Sequence, residues 1–372
     1  MSRTVVFAQR HLPHFRVPFY DKLRLALAAH DVHVRVLVGD PTPQEVEKSD
    51  AGKLSWSEHR RTRYALGGLL CWMPLNADLG EADLLVFAQE NRLVLNLWEL
   101  LRRRKHRVAF WGHGRNMQSS APDGLRERFK FWTTRRADWY FAYTDLSYQI
   151  LRNIGYPADR ITVVNNAIDT QQTIADRESI SAEEAQALRN EMGLEGIPVG
   201  MFLGSLYAQK GLDFGLEAAL AIRGRLPDFN WLVMGDGPDR SKVEAMASEH
   251  PWVHWVGVRL GREKALYAGL CDVLMIPSAI GLVALDSFAL GKPIIAIHDN
   301  NHGPEIAYLQ NGVDCLMTEH GVDPYANAVA ELLMDRKRLG EMQKRCLLKA
   351  SRYSIKAMVD NMRLGVLAAM SA

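Results

Sequence analysis

The sequence predicts an α/β chain built as two doubly wound halves. Three observations carry that expectation. Short apolar runs alternate with longer helical patterns through most of the 372 residues. A polar stretch without strands interrupts the rhythm near the middle. A chain of this length also suits two domains of roughly 150–200 residues better than one core.

The elements follow in order. "TVVFA" (4–8), "VHVRVLVG" (32–39), "DLLVFA" (83–88) and "RVAFWG" (107–112) read as strands, with helices over 18–30 and 92–106 between them. "ADWYFAYT" (137–144) and "ITVVNN" (161–166) continue the series around a helix at "DLSYQILRNIG". Residues 170–196 are polar and read as a connector with one surface helix. Strands resume at "VGMFLG" (199–204), "NWLVMG" (230–235), "VHWVG" (253–257), "DVLMIP" (272–277) and "PIIAI" (293–297). The expected organisation is an N-terminal domain over 1–170, a linker over 171–196 and a second domain over 197–350. A C-terminal helix over 351–372 is expected to cross back to the first domain. Ligands of such sheets bind outside the carboxyl ends of the strands, so a cleft between the halves is the expected site.

Charge and cysteine usage narrow the class. The formal net charge is only +2, yet residues 101–136 hold eleven Lys or Arg against two acids. Cys71, Cys271, Cys315 and Cys346 lack metal-ligand spacing, which suits a reduced, cytoplasmic chain. The N-terminus enters a strand without a signal-peptide core, and no apolar run approaches the 18 or so residues of a membrane span. Basic charge alone would allow nucleic acid, but no recognition module accompanies it, so no nucleic-acid partner is expected.

Three segments of the second half carry candidate chemistry. In "FLGSLYAQKGLD" (202–213) a strand ends at Gly204, Ser205 opens a loop, and Lys210 stands at a helix start. The glycine permits close approach to a ligand, and Lys210 either supplies a point charge to a phosphate or is a solvated lysine. "GDGP" (235–238), with Gly235 at a strand end, is either a structural turn or a wall of a nucleotide pocket. In "PSAIGLVALDSFALGKP" (277–293), Gly281 leaves the amides of Leu282 and Val283 uncovered at a helix start, a favourable place for a diphosphate. Asp286, one turn in, either accepts hydrogen bonds from ribose hydroxyls, or pairs with a basic residue or the helix dipole.

This ordered set resembles retaining GT-B glycosyltransferases of family 4, the glycosyl transferases group 1. The matching pieces are "GSLYAQKG", "GDGP", "PS", "GLVALDSFALGKP", Glu305 and "NG" (311–312). In the first half "HLPHFRVPFYDKL" (11–23), "WGHG" (111–114) and "NNAIDT" (165–170) are similar to the family's acceptor loop, histidine turn and interdomain exit. The resemblance implies two Rossmann-like domains facing a cleft, a nucleotide-diphosphate sugar as donor, and no metal or other cofactor. It implies Gly204, Ser205, Lys210, Gly235, Gly281, Leu282, Val283 and Asp286 at the donor. His113 and Lys210 would be catalytic, with His113 touching the transferred sugar or the forming oxyanion. Arg10 and Arg16 would lie on the acceptor side; the alternative for each is an ordinary surface residue. Two departures stand out. Ser205 occupies the place of the family's loop arginine, and Ser278 that of the first of its two glutamates. Main-chain groups of 279–282, Asp299 or Asn300 are the candidates to replace that glutamate.

The expected reaction is transfer of a hexose-type sugar to a glycan or lipid-linked acceptor in bacterial surface polysaccharide or glycolipid assembly. The mixture of aromatics and cations in "LRERFKFWTTRR" (125–136) suits peripheral contact with an anionic membrane at the inner face of the plasma membrane. Its alternative is a charged outer face with the aromatics packed inward. Two rival functions remain: a sugar-nucleotide epimerase, which would need carboxylates for acid–base work, and an inactive glycosyltransferase-like partner protein, suggested by the two departures.

Overall fold

The structure is a computed structural model. It describes residues 3–42, 51–68, 70–75, 80, 82–90, 92–101, 105–116, 124–299 and 301–372, with the side chains of all these but 95 and 96. Arg102, Arg103, Arg104 and Asn300 therefore lie outside the described residues. The chain forms two compact units, Met1–Ile168 with Ile355–Ala372, and Asp169–Ser354.

The first unit is built on strands β1 (Arg3–Gln9), β2 (Val32–Val38), β3 (Glu58–His59), β6 (Leu84–Ala88), β7 (Arg107–Gly112), β8 (Trp139–Ala142) and β9 (Ile161–Val163). Their order is β3-β2-β1-β6-β7-β8-β9, and every pairing in this sheet is parallel. A small antiparallel hairpin, β4 (Arg63–Ala65) with β5 (Leu70–Trp72), stands apart from that sheet. The central strands are apolar on both faces, Val5, Val6, Phe7, Leu84, Leu85 and Val86 being fully buried, as a helix-covered parallel sheet requires. The helices are α1 (Val17–Ala28), α2 (Val94–Leu101), α3 (Leu125–Thr134) and α4 (Asp145–Asn153). The last helix of the chain, α13 (Ile355–Ser371), also belongs here. It lies so close to β8 and β9 that a Cβ on Gly365 would sit 2.5 Å from Thr162 Oγ1 and 2.7 Å from the Phe141 ring.

The second unit carries β10 (Val199–Leu203), β11 (Asn230–Met234), β12 (Val253–Gly257), β13 (Val273–Met275), β14 (Ile294–Ile297) and β15 (Cys315–Thr318). All are parallel, in the order β12-β11-β10-β13-β14-β15. That is the strand order of dinucleotide-binding folds, with its switch point between β10 and β13. The connections include α7 (Leu212–Arg223), α8 (Arg240–Glu249), α9 (Gly261–Gly269), α10 (Val283–Leu290), α11 (Val322–Met334) and α12 (Arg336–Ala350). Strand β15 has no counterpart among the strands read from the sequence.

The connector expected over 171–196, with one helix, is instead two helices of the second unit, α5 (Thr170–Glu178) and α6 (Ala182–Glu191). Each begins at a side-chain cap: Asp169 accepts from the Gln172 amide and Ser181 from the Glu184 amide, both at 3.2 Å. Arg177 donates to the carbonyl of Ala289 on α10, and Arg262 of α9 holds Glu184. Polar sequence here marks helices anchored by charge rather than a free linker.

Candidate functional site

The second unit's switch point is formed by the loops leaving β10 and β13. Beyond Leu203 the chain runs at the surface through Ser205, turns through a short 3-10 helix (Ala208–Lys210) and enters α7 at Gly211. This loop is zipped to the one following β11. Gly204 N–H donates to Met234 O, Leu206 N–H to Asp236 O, and Asp239 N–H to Leu206 O, all within 3.0 Å. A Cβ on Gly235, at φ +148°, would lie 1.9 Å from Gly204 O. Of the two roles open to "GDGP", the turn is required for this packing whatever else it does.

Lys210 is buried, and its Nζ donates to the carbonyl of Ala279, 2.7 Å away in the loop after β13. Among the described residues no carboxylate pairs with it; the Tyr207 ring lies 5.6 Å from the ammonium. Burial lowers its pKa to about 8, because the charged form loses water without gaining a counter-ion. Ala279 itself takes φ +51°, a backbone conformation that costs a non-glycine residue about 1 kcal/mol or more. The solvated-lysine alternative is thereby ruled out by geometry. An ammonium is held at the switch point by one neutral acceptor.

Around it, α10 begins at Leu282 with no capping side chain. Gly281 is partly exposed and Val283 is buried. Asp286 meets Lys264 of α9, Oδ1 to Nζ at 2.7 Å, both side chains being largely buried. The acid in an apolar helix is therefore paired with a basic residue, one of the alternatives open from the sequence. No local pattern exposed this pairing, because Lys264 lies 22 residues away on another helix.

The place of the absent glutamate is taken by a small polar network. Ser278 Oγ donates to Asp299 Oδ2 at 2.5 Å. His302 Nδ1 accepts the Ile280 amide at 3.2 Å. Its Nε2 then carries the proton and faces Ile297 O at 2.9 Å and Asp299 Oδ1 at 3.2 Å. The buried Glu305 lies beneath the same loop: a Cβ on Gly303 would be 2.9 Å from its Oε2, and one on Gly281 3.9 Å. His302 gives no motif signal in the sequence, and the fold alone joins it and Ser278 to Asp299.

The N-terminal candidates belong to the first unit. His113 follows β7, its ring centroid 4.5 Å from that of Tyr143. Burial, reinforced by Lys130 and Arg16, pushes its pKa down to about 4, so the imidazole is neutral near pH 7. The turn is fixed from below: Gly114 N–H donates to Tyr140 Oη at 2.9 Å, and Tyr140 donates to Gln89 Oε1 at 2.5 Å. Arg10 and Arg16 are not surface side chains. Arg10 is buried and bridges to Glu90 at 3.2 Å. Arg16 is buried, donates to Asn166, and stacks 4.8 Å from the Trp111 ring.

Paired glycine-bearing loops and a buried lysine at the switch point of a dinucleotide-type sheet, with a second doubly wound unit beside it in sequence, define the GT-B class of glycosyltransferase. The fold agrees with that of Anabaena HepE, solved in complex with UDP: TM-score 0.71 at 19% identity, covering 98% of this chain and 99% of that one. WaaG, a glycosyltransferase involved in lipopolysaccharide biosynthesis, matches with TM-score 0.64 at 14% identity over 96% of this chain and 98% of its own. The family described as glycosyl transferases group 1 matches residues 197–335, and glycosyltransferase family 4 matches residues 20–172. Together the two matches lie over most of both halves and support a group 1, family 4 glycosyltransferase. Among curated relatives, the alpha-D-kanosaminyltransferase of Streptomyces kanamyceticus is 27% identical over 58% of this chain and 56% of its own length. The GDP-mannose-dependent alpha-(1-6)-phosphatidylinositol monomannoside mannosyltransferase of Mycolicibacterium smegmatis is 25% identical over 52% and 57%. The chain spans about half the length of the curated relatives it matches.

Proposed function

We propose that the protein transfers a sugar from a nucleotide diphosphate to a glycan or lipid-linked acceptor with retention of anomeric configuration, in surface polysaccharide or glycolipid assembly. The observation that carries this reading is the Lys210–Ala279 contact: a buried ammonium at the β10–β13 switch point, with one carbonyl as its acceptor. As the anomeric C–O bond breaks, negative charge gathers on the leaving diphosphate. Lys210 and the N-terminal amides of α10, from Gly281 to Val283, meet that charge in place, an effect worth several kcal/mol. The acceptor hydroxyl attacks on the face the diphosphate leaves. Its proton passes to the departing phosphate oxygen, so no protein nucleophile is needed. In this reading the reaction uses no metal ion, and His113 acts as a neutral imidazole that donates or accepts a hydrogen bond at the sugar. Asp286, steered by Lys264, accepts from the ribose hydroxyls. The UDP complex of HepE and the GDP-mannose dependence of the mycobacterial relative support a nucleotide diphosphate without choosing the base.

A thermal-shift panel of UDP-, GDP- and ADP-sugars tests the donor, because a ligand of the folded state raises the melting temperature. One of them should stabilise the protein, and Lys210→Ala should reduce that shift. His113→Ala should keep donor binding while transfer falls by about tenfold to a thousandfold. Normal turnover in both variants would remove the site assignment. No shift with any nucleotide sugar would favour the inactive-partner function.

A further inference from the structure

Two neighbouring helices of the first unit are turned inside out. Along α3 the side chains at the outward i, i+4 and i+7 positions are Leu125, Phe129 and Trp132, exposed by 82%, 41% and 38%. The inward positions hold Glu127, Thr133 and Thr134, all buried, and the half-buried Lys130. Glu127 accepts the Asn116 amide, and Thr134 accepts from Gln89. Helix α2 repeats the arrangement in part, since Leu100 is also buried in the core. Trp98 and Leu101 are 55% and 57% exposed, while Glu99 is fully buried and bonded to His106. The two helices adjoin, since Leu97 of α2 and Phe129 of α3 line one small cavity. A water-facing helix normally shows the opposite distribution.

The apolar ridge has a basic margin. Arg126 and Arg128 flank Leu125 and Phe129 on the exposed surface, and Arg135 and Arg136 follow at the end of the helix. The Arg136 guanidinium lies 3.6 Å above the Trp132 ring, and Trp132 stacks on Phe129 at 5.8 Å. Apolar and aromatic side chains in the middle with arginines at the rim match the boundary of an anionic bilayer, where rings sit among headgroups and guanidinium groups reach lipid phosphate. No helix among the described residues is long and apolar enough to cross a membrane, so the contact is made from one side.

We infer that the outward faces of α2 and α3, centred on Trp98, Leu101, Leu125, Phe129 and Trp132, dock the protein on the surface of an anionic lipid bilayer. That this brings it to a lipid-linked acceptor rests on the transferase reading proposed above; the binding itself does not. The experiment is co-sedimentation of the full chain, without any nucleotide sugar, with vesicles of phosphatidylcholine alone and of phosphatidylcholine with phosphatidylglycerol. The protein should partition to the phosphatidylglycerol vesicles and be released by salt. The paired variant Phe129→Glu/Trp132→Glu should lose at least about tenfold in partitioning, with its melting temperature and nucleotide response retained. Arg126→Glu/Arg128→Glu should remove the salt-sensitive part. No binding to either vesicle, or equal binding by wild type and the first variant, overturns the inference. So does a concentration-dependent dimer that the first variant abolishes, which would give the face to a second copy. A nucleotide response without vesicle binding refutes the docking surface and leaves the donor site standing; vesicle binding without a nucleotide response does the reverse.

Discussion

The two sheets share one strand order about their switch points and fill those points in opposite ways. In the first unit Arg10, just after β1, meets Glu90, just after β6, and Arg92 shares the same carboxylate at 2.7 Å. In the second unit Lys210, in the loop after β10, donates to the carbonyl of Ala279, just after β13, and among the described residues pairs with no carboxylate. One junction joins cations to an acid; the other keeps a buried cation without one. Topology places a crevice at both positions, but the side chains differ, and under the proposed function the second is the one prepared for an anion. An arginine with its acid holds loops together, whereas an ammonium with a depressed pKa gains from an arriving diphosphate.

The sharpest break in that comparison is Lys210→Ala against Arg10→Ala. Removing Lys210 should lower transfer by about a hundredfold to a thousandfold, as loss of one preorganised charge at a leaving group does, and initial-rate assays read it directly. Removing Arg10 takes one buried cation from the Glu90 carboxylate, and should cost roughly 2 kcal/mol of stability. Urea titration should show this as a lower midpoint, with nucleotide binding unchanged. If Arg10→Ala abolished nucleotide binding while Lys210→Ala spared it, the roles would be reversed.

A third expectation concerns pH. The pKa of Lys210, about 8 in the folded chain against an ordinary 10.5, means that it is charged in both states below pH 8. Between pH 8 and 10.5 the folded chain sheds this proton first. In that window rising pH favours the folded state but weakens anion binding. Calorimetric titration with UDP or GDP should show up to about tenfold weaker binding at pH 9 than at pH 7, and Lys210→Ala should flatten the dependence. An equal slope in the variant would move the effect to another group.

The smallest effect concerns the Asp286–Lys264 pair. A double-mutant cycle with Asp286→Asn and Lys264→Met should give a coupling of about 1 kcal/mol in stability, because both side chains are partly shielded and meet directly. Zero coupling would mean that the pair contributes nothing to the fold, leaving Asp286 only its proposed role toward the ribose.

How legible the molecule is from sequence varies by region. The apolar runs over 4–8, 84–88 and 199–203 announce parallel strands because both faces are covered and every side chain must be apolar. The strand at 315–318 is short and follows a turn-rich stretch, so no run long enough to read precedes it. Helices α5 and α6 look like a linker because most of their side chains are polar, although Leu188 packs on the second unit's core and Arg177 and Glu184 bond to α10 and α9. Among the candidate site residues, the glycine loops and Lys210 are visible because conformation and charge are local properties. The partners of Asp286, Ser278 and Arg10 are not visible, since each comes from a segment distant in sequence.

The same division appears in α3. Its sequence, "LRERFKFWTT", shows aromatics and cations at helical spacing, and admits either face as the outer one. Only packing against Gln89 and the 113–116 turn decides it, by giving the inward side hydrogen-bonding groups that Glu127 and Thr134 satisfy. The sequence by itself determines most of the strands, the glycine turns, the basic cluster at 101–136 and the family resemblance, because these depend on local periodicity and residue type. The tertiary structure alone decides which acid neutralises which base, which cation is left without one, and which helix face meets the outside. Those outcomes depend on chain segments far apart in sequence arriving at one place, and on the cost of burying a charge there.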